Sequence, residues 1–196
     1  EKHRGLLSGR DVLYLSYITL LNETGEYEKA LELILNHIFH PWEGGEGKVA
    51  EQYKTALFAL AEKEIKNKNF EKAIELCLKT ITYPENLGEG KLPNVPDNKA
   101  HLMIGRCFSA LGDKENAIKH FKEATKGSQT PTPVRYYNDQ KSDYIYYQGL
   151  AFFELGDVDN AKKSFHKLVD FGNRHIFDKA EYDYFAVSLP ELEVYE

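Results

Sequence analysis

GDKENAIKHFKEA, residues 112–124, is the stretch on which the reading of the fold turns. Gly112 ends one helix, and Asp113 caps the next by accepting from its first free backbone N–H groups. Ala117, Ile118, Phe121 and Ala124 then fall on one helical face. The stretch therefore predicts a tight turn between two antiparallel helices. The same signal recurs at Gly156, Asp157, Ala161 and Phe165, at Gly25, Tyr27, Ala30 and Ile34, and in weaker form at Lys68, Phe70, Ala73 and Cys77. Ala30, Ala73, Ala117 and Ala161 are spaced by 43, 44 and 44 residues. A fixed period of this length means stacked helical hairpins, each of which needs neighbours to bury its apolar face.

Working outward from the period, the sequence predicts one all-α repeat domain over residues 1–196. Its hairpins fall at about 11–40, 48–83, 97–126 and 141–171, with a partial helix at about 176–188 that Pro190 stops. In the first helix, Leu13, Tyr14, Tyr17, Ile18 and Leu21 mark the inner face, and its partner runs from Tyr27 to Phe39. In the second hairpin Lys68 and Asn69 replace the usual glycine, and a left-handed Asn69 is expected to make the turn. Twelve positions before the four alanines stand Ile18, Ala61, Gly105 and Gly149. The two glycines predict close helix approach to Ala117 and Ala161, with Phe108, Phe121, Phe152 and Phe165 filling the space beside them. A start without Met, and an apolar stretch from Phe185 to Leu192 with no partner helix, predict a piece of a longer protein.

Composition narrows the function classes. With 42% hydrophobic and 13% aromatic residues, the chain has the apolar material for a continuous core. A formal charge of −6 and the lack of a basic stripe argue against nucleic acid as a partner. No apolar run reaches membrane-spanning length, and EKHRGLLSGR is not a signal peptide. Cys77 and Cys107 sit among apolar helical neighbours and read as free thiols, which predicts a reducing, cytoplasmic location. His37 and His40 lie three apart with Glu43 near, but no third metal ligand is fixed by spacing. No metal site, cofactor or catalytic residue is therefore expected.

This pattern of turns, small residues and aromatics resembles the tetratricopeptide repeat. The likeness is strong in the third and fourth hairpins, fair in the first and weak in the second, where Glu64 takes a usually apolar position. The usual unit is 34 residues, so the longer period here places about ten extra residues in each connection. The resemblance implies a right-handed superhelical array with extended inter-repeat loops, acting as a scaffold that binds a protein or peptide in its concave groove. Carried over by position, that groove holds Thr19 and Asn22, Phe58 and Glu62, Lys99, Leu102 and Arg106, and Tyr146 and Leu150. Leu15 and Thr19 do not supply the carboxylate clamp of the chaperone-binding members.

A second repeat lies inside the first. HPWEGGEGKV (40–49) and YPENLGEGKL (83–92) share Gly-Glu-Gly-Lys at positions 43 apart, an identity that core packing does not demand. Both loops leave equivalent corners of stacked hairpins, so they should lie side by side and present Trp42, Glu43, Glu46, Lys48, Glu89 and Lys91 on one edge. The corresponding third loop, with Tyr136, Tyr137, Asn138, Asp139 and Gln140, would extend it. Two readings stay open: turn glycines flanked by solvated charges, or a recognition edge. A phosphate loop is excluded because the Walker spacing and a following Ser or Thr are missing. A glycosidase-type pair among Glu43, Glu46 and Glu89 needs a separation that sequence does not give.

HPWEGGEGKV, LGEGKLP, YYNDQ, YQGLAFFELG and YFAVSLP together resemble the C-terminal repeat region of large bacterial proteins whose N-terminal β-rich region is similar to sugar-mutarotase folds. That resemblance implies a carbohydrate-related parent protein, with the upstream region of the same chain as a possible partner and a carbohydrate as a possible ligand. Two functions follow as expectations. The first is an interaction scaffold using the groove and the loop edge. The second is a loop edge that completes a carbohydrate-processing site with the upstream region.

Overall fold

The computed structural model describes residues 9–93, 95–132 and 141–179. Eight helices make four hairpins: α1 (Asp11–Glu23) with α2 (Tyr27–Leu35), α3 (Lys48–Lys66) with α4 (Phe70–Ile81), α5 (Asn98–Ala110) with α6 (Lys114–Ala124), and α7 (Tyr144–Glu154) with α8 (Val158–His175). A short 3-10 turn, Glu85–Leu87, follows α4, and there is no strand among the described residues. Each helix packs on the next in sequence, and the first helices of successive hairpins also meet, α1 on α3 and α5 on α7. The array is all-helical, as the period predicts.

One backbone device closes all four hairpins. In each, an N–H just past the turn reaches five residues back to the helix it leaves: Glu26 to Leu21, Asn69 to Glu64, Asp113 to Phe108 and Asp157 to Phe152, at 2.8, 2.9, 2.9 and 2.9 Å. That bond requires the preceding residue to be left-handed. Gly25, Gly112 and Gly156 supply it with φ of 83°, 83° and 80°. In the second hairpin the left-handed residue is Lys68, at φ 62°, and not Asn69, which sits at φ −88°. The turn register is the cause, because Asn69 occupies the capping place and gives its side-chain amide to Glu64. Asp113 and Asp157 cap as expected, accepting from the N–H of Asn116 and of Asn160 at 3.1 Å each.

The core is two apolar clusters that meet at α5, with Phe108 packed against both. One apolar cluster runs from Leu15, Ile18 and Leu21 through Leu57, Ala61 and Cys77 to Ile104 and Cys107, and a second joins Leu102, Phe121 and Ala124 to Ala151. Helix α5 is thus the shared wall. Gly105 and Gly149 make room for rings: a Cβ on them would lie 2.6 Å from Phe121 and 2.5 Å from Phe165. Two inner-face expectations are corrected. Leu13 and Ile118 are exposed, because the buried stripes run through Leu15, Ile18 and Leu21 and through Ala117, Phe121 and Ala124.

Two boundaries also move. Helix α2 stops at Leu35 and not at Phe39, since the Asn86 side-chain amide donates to the carbonyls of Ile34 and His37 at 2.7 and 2.8 Å and so ends the helix from a neighbouring loop. Helix α8 runs on through Gly172 to His175, so a new helix does not begin at 176; the remainder of the predicted 176–188 helix lies outside the described residues. Among the described residues, no helix is long and apolar enough to cross a membrane.

Candidate functional site

The two Gly-Glu-Gly-Lys loops lie side by side. The Phe39 N–H donates to the Asn86 carbonyl at 2.9 Å, and Gly88, at φ 74°, sits so close that a Cβ would meet the Phe39 carbonyl oxygen at 2.5 Å. Glu89 then reaches the start of α3, its carboxylate accepting from the N–H groups of Gly47 at 2.7 Å and Ala50 at 3.2 Å. Gly47 is the N-cap residue there, and having no side chain it makes no cap hydrogen bond of its own. A carboxylate from the next repeat does that work and also complements the helix dipole. Lys91 donates to the Ile81 carbonyl at 2.8 Å and to the Asp97 carboxylate at 2.7 Å, which ties the end of α4 to the start of α5.

The first loop is pinned in a related way. Asp11 accepts from the His40 N–H at 2.7 Å and pairs with His37 Nε2 at 2.7 Å. Burial pushes the Asp11 carboxyl up, but the hydrogen bonds from His37 and His40 outweigh it and hold the group below the usual carboxylate range. His37 and His40 are therefore occupied in anchoring the loop to α1. Among the described residues, no cluster of three or more His, Cys, Asp or Glu side chains is placed to hold a metal.

Trp42 is partly buried and lies flat over Gly45, where a Cβ would come within 2.2 Å of the indole. A pocket of about 300 Å³ opens beside it, lined by His40, Glu43, Glu46, Leu87 and Glu89. Glu43 and Glu46 are exposed and Lys48 opens α3. Tyr136, Tyr137, Asn138, Asp139 and Gln140 lie outside the described residues.

The larger concavity is a groove of about 610 Å³ walled by α3, α5 and the start of α7. Glu51, Lys54 and Phe58 stand along α3, Lys99 on α5, and Tyr144 and Tyr147 on α7. Ion pairs cross between the walls: Lys99 with Glu62 at 3.3 Å, Lys141 with Glu51 at 2.5 Å, and Arg106 with Glu154 at 2.7 Å. The Lys99 ammonium also lies 4.5 Å from the centre of the Phe58 ring. Lys54 differs from these. It is partly buried, makes no hydrogen bond or ion pair with any described residue, and burial pulls its pKa down against the pull of Glu51 and Asp97.

Three expected groove residues are placed elsewhere. Asn22 is buried, donating to the Gln52 carbonyl at 3.1 Å and its side-chain oxygen at 2.9 Å, so it fastens α1 to α3. Tyr146 turns away from the groove and packs on Phe165 of α8, ring centres 5.8 Å apart, while Tyr147 faces in. Leu102, likewise expected in the groove, is buried at 2% exposure. Glu51, Lys54, Tyr144 and Tyr147 were missed by sequence reasoning. A signal for part of the set was available, because 51 and 58, 99 and 106, and 147 and 154 are each seven apart and so share a helix face.

Residues 99–126 and 143–170 each match a family model of the tetratricopeptide repeat. They coincide with the third and fourth hairpins, where the turn, cap and glycine-to-ring packing are most regular. The third and fourth hairpins thus match the tetratricopeptide repeat, and the all-helical array is consistent with a repeat array of that kind. Repeats of this kind generally mediate protein–protein interaction.

Proposed function

We propose that the chain is an interaction module whose working surface is the concave groove, and that its ligand is an extended protein segment carrying a carboxylate next to an aromatic or aliphatic side chain. Lys54 carries this reading. A cation held partly out of water with no partner among the described residues, in a groove that Phe58 and Tyr147 also line and where Lys99 and Lys141 are already paired, is complementary to an incoming anion. The bond it would form is charge-assisted and contributes on the order of 1.5–3 kcal/mol, which is about tenfold or more in affinity. Buried free thiols at Cys77 and Cys107 suit a reducing compartment such as the cytoplasm.

The test is selection of random peptides displayed on phage against the whole chain, followed by calorimetry of the enriched peptide. Wild type should bind it, Lys54→Glu and Tyr147→Ser should each weaken binding about tenfold or more, and Glu46→Gln should leave it unchanged. Loss with Glu46→Gln and no loss with Lys54→Glu would refute the groove as the site.

A second reading concerns the loop edge, and the pocket beside Trp42 favours it. An indole wall with exposed Glu43 and Glu46 suits a sugar ring or a docking segment from a further region of a longer protein. Glu89 already serves α3 as a cap, which leaves Glu43 and Glu46 as the exposed carboxylates of this edge. Trp42 is the single tryptophan, so its fluorescence reports on that pocket directly. Titration with mono- and oligosaccharides should quench or shift the emission, and an unchanged spectrum throughout would dismiss sugar binding there.

A further inference from the structure

His101 on α5 and His120 on α6 stand where the neighbouring hairpins place packing residues. Counted from the four alanines, the equivalent positions are Leu57 and Leu76 in the second hairpin and Ile145 and Ser164 in the fourth, and all four side chains are buried. The packing of one helix on the next therefore does not require two imidazoles here. They are partly buried and meet edge to edge, Nδ1 to Nδ1 at 3.0 Å. Phe108 stacks on the His120 ring, centres 5.6 Å apart with 27° between the planes, and so fixes the direction in which that ring points.

We propose that this pair is a binding site for a divalent transition-metal ion of the Zn2+ type, held by the Nδ1 atoms of His101 and His120. Two nitrogens about 2.0–2.1 Å from one zinc ion stand about 3.3 Å apart at the tetrahedral angle, so the pair needs to open by only about 0.3 Å. Without the ion, one Nδ1–H donates to the other Nδ1. On binding, that proton moves to Nε2 of its own ring, which leaves both imidazoles neutral with both Nδ1 lone pairs on the ion. Burial holds both groups below the usual imidazole range, so at neutral pH neither has to lose a charge first. Asp97 and Glu123 favour a cation at this place. Lys91 and Lys126 oppose it, but each is already paired with one of those carboxylates, and Lys119 opposes from α6. Among the described residues no third ligand is placed with the two, so water fills the remaining positions. Imidazole ligands select zinc, copper or nickel over magnesium and calcium, which take oxygen.

The test is a titration of the whole chain, labelled with 15N, with Zn2+ alone. Long-range 15N–1H spectra of the imidazoles should show the Nδ1 signals of His101 and His120 moving together and both rings settling as the Nε2–H form. By calorimetry, His101→Gln and His120→Gln should each weaken zinc binding by about tenfold or more, while His166→Gln, exposed on α8, should leave it unchanged. Zinc should also raise the urea midpoint of the wild type and leave that of His120→Gln where it was. Imidazole signals at His101 and His120 that ignore zinc overturn the proposal. So does zinc bound at His37, His40 or His175 in their place.

Discussion

Lys68 and Gly149 hold this array together in opposite ways. Lys68 takes a left-handed conformation that glycine adopts freely at the three other turns, and a side chain there costs on the order of 1 kcal/mol. Lys68→Gly should therefore raise stability by about 0.5–1 kcal/mol, visible as a higher urea midpoint with an unchanged slope. A lower midpoint would mean that the Lys68 side chain makes a contact worth more than the strain. Gly149 marks the reverse case, because an added Cβ would stand 2.5 Å from the Phe165 ring. Gly149→Ala should destabilise by about 1–3 kcal/mol through overpacking, although alanine favours helix by about 1 kcal/mol at an unconstrained site. Both residues were identifiable in the sequence as turn and contact positions. The sequence reading put the left-handed turn on Asn69 and the structure puts it on Lys68, because the choice depends on the last bond of α3, from the Asn69 N–H to the Glu64 carbonyl.

Among elements, the informative contact is the loop of one repeat ending a helix of another. Glu89 caps α3 from about forty residues downstream, and Glu89→Ala should cost about 1–2 kcal/mol and speed hydrogen exchange in the first turn of α3 while the turn at Gly112 stays protected. Equal exchange at the start of α3 in both proteins would remove the capping role. The repeated Gly-Glu-Gly-Lys strings made the pairing of the loops legible, yet the carboxylate's role was not, because the N–H groups it serves are distant in sequence. The α5–α6 pair carries a pH dependence. His101 and His120 face each other at 3.0 Å between their Nδ1 atoms, and burial lowers both below the usual imidazole range. Asp97 and Glu123 nearby favour the charged forms, while Lys91, Lys119 and Lys126 oppose them. With folded values below the unfolded one, about 6.5, the contribution is complete above that pH and is lost as pH falls through the folded values. The urea midpoint should drop between pH 7.5 and 5.5, and His120→Gln should flatten the drop; an equal drop in both proteins would place the proton uptake elsewhere.

At the scale of the whole molecule, the period fixes four stacked hairpins and, with them, a concave side made by α3, α5 and α7. That much follows from the spacing of four alanines and the turn residues beside them. The lining follows less directly. Each connection resets the helical phase, so a face extrapolated from one repeat to the next came out at Tyr146 when the groove takes Tyr147, and at Asn22 when that side chain is an interior staple. The charges at the edge loops are largely committed to the fold through Glu89, Lys91 and Asp11, whereas Lys54 in the groove has no hydrogen bond or ion pair among the described residues. The most direct measurement is a backbone amide chemical-shift map of the chain titrated with a peptide selected on it. Shifts centred on Glu51, Lys54, Phe58, Lys99 and Tyr147 are the predicted result. Shifts confined to residues 40–47 and 85–91, with the groove silent, would contradict it.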